Sequence, residues 1–79
     1  MNDLEQRIRG FLRDELGVDE DLSPDDSLIT SGRVDSAGLV RLAALLERQT
    51  GLIIPDRDLT PEHFDTIARI VAYVGTRAV

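Results

Sequence analysis

Leu4, Ile8, Phe11 and Leu12 recur three and four positions apart and put one apolar stripe on a helix expected over about 3–16. Both Asn2…Glu5 and Asp3…Gln6 have capping-box spacing, so the start is signalled in two registers, and Gly17 is a fitting stop. A second stripe, Leu39, Leu42, Ala43 and Leu46, predicts helix II over about 36–50, ending near Gly51, with Val40 and Leu45 at its flanks. Its opposite face, Ala37, Arg41, Ala44 and Arg48, is small and basic. Thr60-Pro61 is the pairing of a cap with proline at the first helical position and opens a short helix III over about 61–64. Ile67, Ile70, Val71 and Val74 then form the buried stripe of helix IV, over about 66–75, with Asp65 as its expected cap and Gly75 at its fraying end.

The stretches between these helices carry their own pattern. Residues 18–35, VDEDLSPDDSLITSGRVD, are too acidic and too rich in Pro, Ser and Asp for a long helix. Asp25-Asp26-Ser27, ahead of Leu28-Ile29, could support one helical turn. Val18, Leu22, Leu28 and Ile29 are expected to anchor this loop on the core, and an unstructured connection of such length usually serves a function. Leu52-Ile53-Ile54-Pro55 has strand-like composition but no partner strand, so an extended, buried connector is expected. The fold expected for residues 1–79 is therefore a single all-α domain of four helices, with a short third helix and a long loop between helices I and II.

Composition narrows what such a domain does. Fifteen acids stand against nine bases, a net charge of −6, which leaves no basic face for nucleic acid and disfavours an anionic membrane. No stretch approaches the roughly 20 apolar residues of a membrane span, and the first turn is polar, unlike a signal peptide. A cytoplasmic monomer is expected. There is no Cys and one His, so neither a disulfide nor a zinc site is available. The loop acids Asp19, Asp21 and Asp25 hint at a calcium loop, but Pro24 and Thr30 stand where that pattern needs Gly and Glu, and no metal site is expected.

The chemistry concentrates at Asp35-Ser36. This dipeptide follows a Ser31-Gly32-Arg33 turn and opens helix II, so a primary hydroxyl lies where unpaired N–H groups and the helix dipole favour an added phosphate. The string SGRVDSAGLVRLAALLE resembles the prosthetic-group attachment site of acyl and peptidyl carrier proteins. The likeness runs from about Leu4 to Val74 and includes Gly51-Leu52-Ile53-Ile54-Pro55 and Leu59-Thr60-Pro61-Glu62-His63-Phe64-Asp65-Thr66-Ile67, similar to the segments after helix II and around helix III in that family.

The resemblance implies that Ser36 is the attachment serine. A phosphopantetheinyl transferase, with Mg²⁺ on its own side, would join the serine to 4′-phosphopantetheine from coenzyme A, and the terminal thiol would hold acyl or aminoacyl cargo as a thioester. Asp35 flanks the site as a cap or as a handle for the transferase. A loading enzyme and a downstream transferase or synthase are the further partners implied. With no Cys in the chain, the arm's thiol would be the only thiol present.

Helix II departs from the family's housekeeping fatty-acid carriers, where this surface is rich in acids. Here Arg41 and Arg48 face outward, Glu47 is the one acid left, and Ala37 stands where a large apolar residue usually follows the serine. These departures point to a dedicated specialised-metabolite pathway, polyketide or nonribosomal peptide synthesis among them, with partner contacts at Ala37, Val40, Arg41 and Ala44. The simpler account is that Arg41 and Arg48 are solvated and pair with loop acids. His63 lacks the partners of a catalytic group and is expected as a partly exposed side chain, Tyr73 as a boundary residue, and Phe11 and Phe64 as core. The chain is thus expected to be a carrier rather than an enzyme. The alternative is an unmodified helical interaction module of the same shape.

Overall fold

The computed structural model describes residues 3–18 and 21–77. It contains helices α1 (Asp3–Leu16), α2 (Ser36–Thr50), α3 (Pro61–Phe64) and α4 (Ile67–Arg77), with a 3₁₀ turn at Asp56–Asp58 and no strand among the described residues. Asn2, one of the two candidate caps of α1, lies outside the described residues. The all-α, four-helix architecture with a short third helix and a long first loop is the one the hydrophobic spacing predicts. α1 packs against both α2 and α4, and α3 packs on α4.

The core gathers one stripe from each helix. Ile8 and Leu12 of α1, Leu42 and Leu46 of α2, Phe64 of α3, and Ile67 and Ile70 of α4 are almost wholly removed from water. Burial of each such side chain is worth about 1.5–3 kcal/mol, so this cluster is the main source of stability in a chain without disulfides. Gly17 ends α1 in the left-handed conformation, with φ of 69°, and Val18 N–H turns back to the Leu12 carbonyl at 2.9 Å. Gly51 ends α2 in the same way, with φ of 76° and its N–H on the Glu47 carbonyl at 2.8 Å.

The long loop is folded onto this core. Val18, Leu22, Leu28 and Val34 are buried and Ile29 is partly so, which adds Val34 to the expected anchors. The helical turn that Asp25-Asp26-Ser27 could support ahead of Leu28-Ile29 does not form. Instead Asp26 accepts from Ser23 N–H at 2.8 Å and Ser23 Oγ accepts from Asp25 N–H at 3.1 Å, so side chains compete successfully with the helical pattern.

Four further expectations are corrected. Asp65 does not cap α4; Thr66 does, its Oγ1 accepting from Arg69 N–H at 3.0 Å. α4 continues past Gly75 to Arg77, because Thr76 Oγ1 donates to the Tyr73 carbonyl and the Arg77 guanidinium lies 4.6 Å above the Tyr73 ring. Tyr73 is buried rather than at the boundary: its hydroxyl donates to Asp58 Oδ2 at 2.6 Å and its ring meets Phe64 at 5.2 Å and His63 at 5.0 Å. The connector at 52–55 is only alternately buried. Ile54 is inside, its N–H on Glu47 Oε2 at 2.8 Å, while Ile53 is 87% exposed.

Candidate functional site

The start of α2 is built by its own sequence. Asp35 has extended backbone, with φ of −90° and ψ of −179°, and its Oδ1 accepts from Gly38 N–H at 2.7 Å while its carbonyl accepts from Leu39 N–H at 2.9 Å. Asp35 is therefore the N-cap, one of the two roles expected for it. Ser36 is the first helical residue and is exposed, as is Ala37. The cap satisfies the third N–H of the helix, and the N–H groups of Ser36 and Ala37 have no acceptor within the described chain. These two groups and the helix dipole give the serine an electropositive setting even though Asp35 is beside it.

Gly38 stands in a tight place. It is buried, and a Cβ there would lie 3.2 Å from Asp35 Oδ1, 3.2 Å from Leu16 Cδ1 and 3.3 Å from Val34 Cγ1. The cap, the end of α1 and the loop all close on the bare backbone of this residue.

The approach to Ser36 is fixed from a distant part of the sequence. The Asp65 carboxylate, only 8% exposed, accepts from Ile29 N–H at 2.8 Å, Thr30 N–H at 3.0 Å, Ser27 Oγ at 3.0 Å and Thr30 Oγ1 at 3.1 Å. Its carbonyl accepts from Leu28 N–H at 2.6 Å, and the Pro24 carbonyl accepts from Ala68 N–H at 3.0 Å. The backbone bond from Thr30, together with those from Ile29 and the two hydroxyls, outweighs burial and holds the Asp65 pKa down to about 2. Val34 N–H then bonds the Leu28 carbonyl at 2.8 Å, Arg33 Nη1 donates to the Ser27 carbonyl at 2.8 Å, and Gly32 turns the chain with φ of 84°. The loop is thus pinned to the α3–α4 junction immediately before it delivers Asp35 and Ser36.

The outward surface of α2 carries two adjoining stripes. Ser36 and Val40 share one, and Val40 is 59% exposed, a large apolar side chain one turn from the serine. Ala37, Arg41 and Ala44 share the other, Ala37 and Arg41 exposed and Ala44 partly buried. Among the described residues, Arg41 pairs with an acid of α1 and with no loop acid. Its Nη2 meets Glu15 Oε1 of α1 at 2.9 Å, and its guanidinium lies 5.8 Å from the Phe11 ring centroid. Both partners are about half exposed, so the pair is worth less than about 1 kcal/mol and opens readily. Between the end of α1, the Gly32 turn and the start of α2 lies an open recess of about 300 Å³. Leu16, Arg33, Asp35, Ala37, Gly38 and Arg41 contribute to its walls.

Sequence reasoning missed the Asp65 clasp, the Arg41–Glu15 tie and the recess. The one available signal for the clasp was the tandem of two capping residues, Asp65-Thr66, of which a single helix start uses only one. No group of three or more His, Cys, Asp or Glu among the described residues is arranged to hold a metal ion.

Residues 6–74 match the family model described as the phosphopantetheine attachment site. The chain belongs to this family of phosphopantetheine-dependent carrier proteins. The carrier is 32% identical over 76 residues to D-alanyl carrier protein 2 of Lactiplantibacillus plantarum, covering 96% of this chain and 95% of the relative. It is 34% identical over 74 residues to D-alanyl carrier protein 1 of the same organism, covering 94% and 92%. A chain in a solved structure described as the crystal structure of an FAD-dependent dehydrogenase superposes with a TM-score of 0.73 and 32% identity, over 84% of the carrier and 96% of the matched chain. The prosthetic group of the carrier is covalently attached 4′-phosphopantetheine, and the carrier holds cargo for other enzymes without catalysing a reaction itself. No helix among the described residues is long and apolar enough to cross a membrane.

Proposed function

We propose that Ser36 bears the 4′-phosphopantetheine and that its thiol holds an aminoacyl group as a thioester for a dedicated biosynthetic route. The observation that carries this is an exposed serine at the first position of α2, beside two N–H groups that have no acceptor among the described residues and an N-cap that bonds neither of them. These residues fit the group: the hydroxyl is a ready attachment point, and a phosphodiester suits the free donors and the positive end of the helix. The arm supplies a thiol to a chain that has none. The chain's own task is to fix the start of α2, keep Ser36 in solvent and offer a surface that partner enzymes recognise.

Aminoacyl cargo is favoured over fatty-acyl cargo by the two D-alanyl carrier relatives and by the basic stripe of α2. Ala37, Val40, Arg41 and Ala44 form the docking surface, with Val40 as its apolar contact and Arg41 as its charge. A phosphopantetheinyl transferase, an aminoacyl-loading enzyme and one acceptor enzyme would use this surface in turn, on a monomeric single domain in the cytoplasm, where coenzyme A is available.

Intact mass after incubation with coenzyme A, Mg²⁺ and a broad-specificity transferase tests the attachment. The wild type should gain one phosphopantetheine and Ser36→Ala none; no gain by the folded wild type would leave the unmodified interaction module. Intact mass of the chain recovered from its own cells then tests the cargo, which should be an amino acid released by hydroxylamine.

The solved structure described as an FAD-dependent dehydrogenase favours a second, finer reading, in which a flavoenzyme oxidises the tethered cargo. Loss of two hydrogens from the cargo, matched by bleaching of the enzyme's flavin, would support it. Unchanged cargo mass with such an enzyme would dismiss it.

A further inference from the structure

We propose that the groove along the outer seam of α1 and α2 docks an acidic amphipathic helix of a partner protein. Phe11 and Leu45 would take its apolar side, and Arg7 and Arg48 its carboxylates. The groove is separate from the start of α2, so this inference goes beyond the carrier reading and stands without Ser36.

Shape comes first. The two helices run antiparallel: Leu16 lies against Gly38, Glu15 meets Arg41, and Arg7 shares a hollow with Gln49. Two adjoining hollows of about 420 and 260 Å³ follow this seam and share Phe11, Glu15 and Leu45. Gly10 keeps one wall low, since a Cβ there would meet nothing within 4 Å. From position 7 to 15, and from 41 to 49, each helix rises about 12 Å, the length of roughly two turns of a docked helix. The floor is apolar. Phe11 and Leu45 pack against the core but are only partly buried, and an apolar side chain laid between them would complete their burial.

Charge names the occupant. Arg7, Arg41 and Arg48 stand along the groove, and so do Asp14 and Glu15. Each of these acids already has a guanidinium: Asp14 accepts from Arg13 at 3.0 Å and Glu15 from Arg41 at 2.9 Å. Arg7 and Arg48 are exposed and have no acid partner among the described residues. The charge left uncompensated in the groove is therefore positive, although the chain as a whole carries −6. That contrast selects a narrow ligand. A segment lying in the groove comes within a Debye length, about 8 Å, of the arginines, whereas a wide anionic surface meets the whole acidic chain. Helix-in-groove docking then asks for apolar residues three or four apart, with acids on their flanks.

The position of the groove gives such a contact its use. Arg41 and Ala44 adjoin the surface proposed for the enzymes, but Ser36, Ala37 and Val40 line neither hollow. A partner seated here anchors the carrier while the start of α2 stays in solvent.

Amide NMR shifts of the ¹⁵N-labelled chain test this with a capped helical peptide that has leucines four residues apart between glutamates. Shifts should gather in residues 7–15 and 41–49, and Ser36→Ala should bind the peptide equally well. Arg7→Gln combined with Arg48→Gln removes two exposed charges, so the unfolding curve should hold while the dissociation constant rises about tenfold. The same peptide with lysine for glutamate should leave the groove unshifted. Millimolar acidic peptide that shifts nothing there, or equal binding by both peptides, would overturn the proposal. Groove shifts on concentrating the chain alone would replace the partner with a second copy. Shifts with phosphatidylglycerol vesicles but not with the peptide would replace it with a membrane. Failure of Ser36 to take up phosphopantetheine would sink the carrier reading and leave this one standing.

Discussion

Two aspartates stand at chain turns that lead into helices, and the molecule uses them differently. Asp35 is exposed, and among the described residues its carboxylate makes one local bond, to Gly38 N–H, three residues on. Asp65 is buried and gathers donors from Ser27, Ile29 and Thr30, 35 to 38 positions away. The first sets out a hydroxyl for other proteins to reach. The second holds the loop in which no regular structure supplies hydrogen bonds. The contrast separates presentation from support: the helix start proposed to meet partners is lightly tied, and the loop that leads to it is clasped from the α3–α4 junction.

The largest break in this comparison is Asp65→Ala. It strands the Ile29 and Thr30 N–H groups and two hydroxyls, and should cost about 3 kcal/mol in denaturant unfolding, a large share of a small domain's stability. Acid provides the same test without mutation. Because the Asp65 pKa is held at about 2 in the folded chain against 3.8 otherwise, the unfolded chain takes up this proton first. Its contribution is full above about pH 4 and is lost as pH falls toward 2. Asp65→Asn should flatten that limb of the stability profile, read by circular dichroism.

The Asp35 side should yield less. Asp35→Ala removes one cap and is expected to cost about 1 kcal/mol, with fraying confined to the first turn of α2 in hydrogen exchange. Gly38→Ala should also cost about 1 kcal/mol, despite the better helix propensity of alanine. Asp35 Oδ1 is fixed by the N–H of the residue that would gain the Cβ, so it has no room to retreat without losing its bond. If Gly38→Ala instead stabilises the chain in urea, the close approach at this helix start is not a constraint.

The smallest effect belongs to Arg41. Arg41→Ala should change stability by less than about 1 kcal/mol, because its pair with Glu15 is half in water. The same substitution, or Arg41→Glu with Arg48→Glu, should slow loading by the cognate enzyme while leaving the fold intact. Unchanged loading rates would remove the basic stripe from the docking surface.

The helices were legible in the sequence because their information is local. Leu39, Leu42, Ala43 and Leu46 declare a buried face within two turns, and Thr60-Pro61 declares a start within two residues. The serine proposed to carry the arm was singled out by likeness, through Asp35-Ser36 and its flanks. What could not be read spans the chain. Asp65 looks like any helix cap until the loop arrives, and Thr66 performs that task instead. Tyr73 looks like a boundary residue because the acceptor for its hydroxyl, Asp58, sits fifteen positions earlier in a 3₁₀ turn with no hydrophobic signature. Burial first, and then that bond to Asp58, pushes the Tyr73 pKa up. Arg41 was visible as a departure from acidic carriers, but its tie to Glu15 required knowing that α1 lies alongside α2.

The clasp at Asp65 also orders events in time. The bonds that hold the approach to Ser36 come from Asp65 and Ala68, which leave the ribosome after the serine does. A nascent chain that already exposes Ser36 has the residue but not the platform beneath it. With the arm on Ser36 as proposed, a transferase that recognises the folded start of α2 would pass over half-made chains and use coenzyme A on those whose last helix has docked.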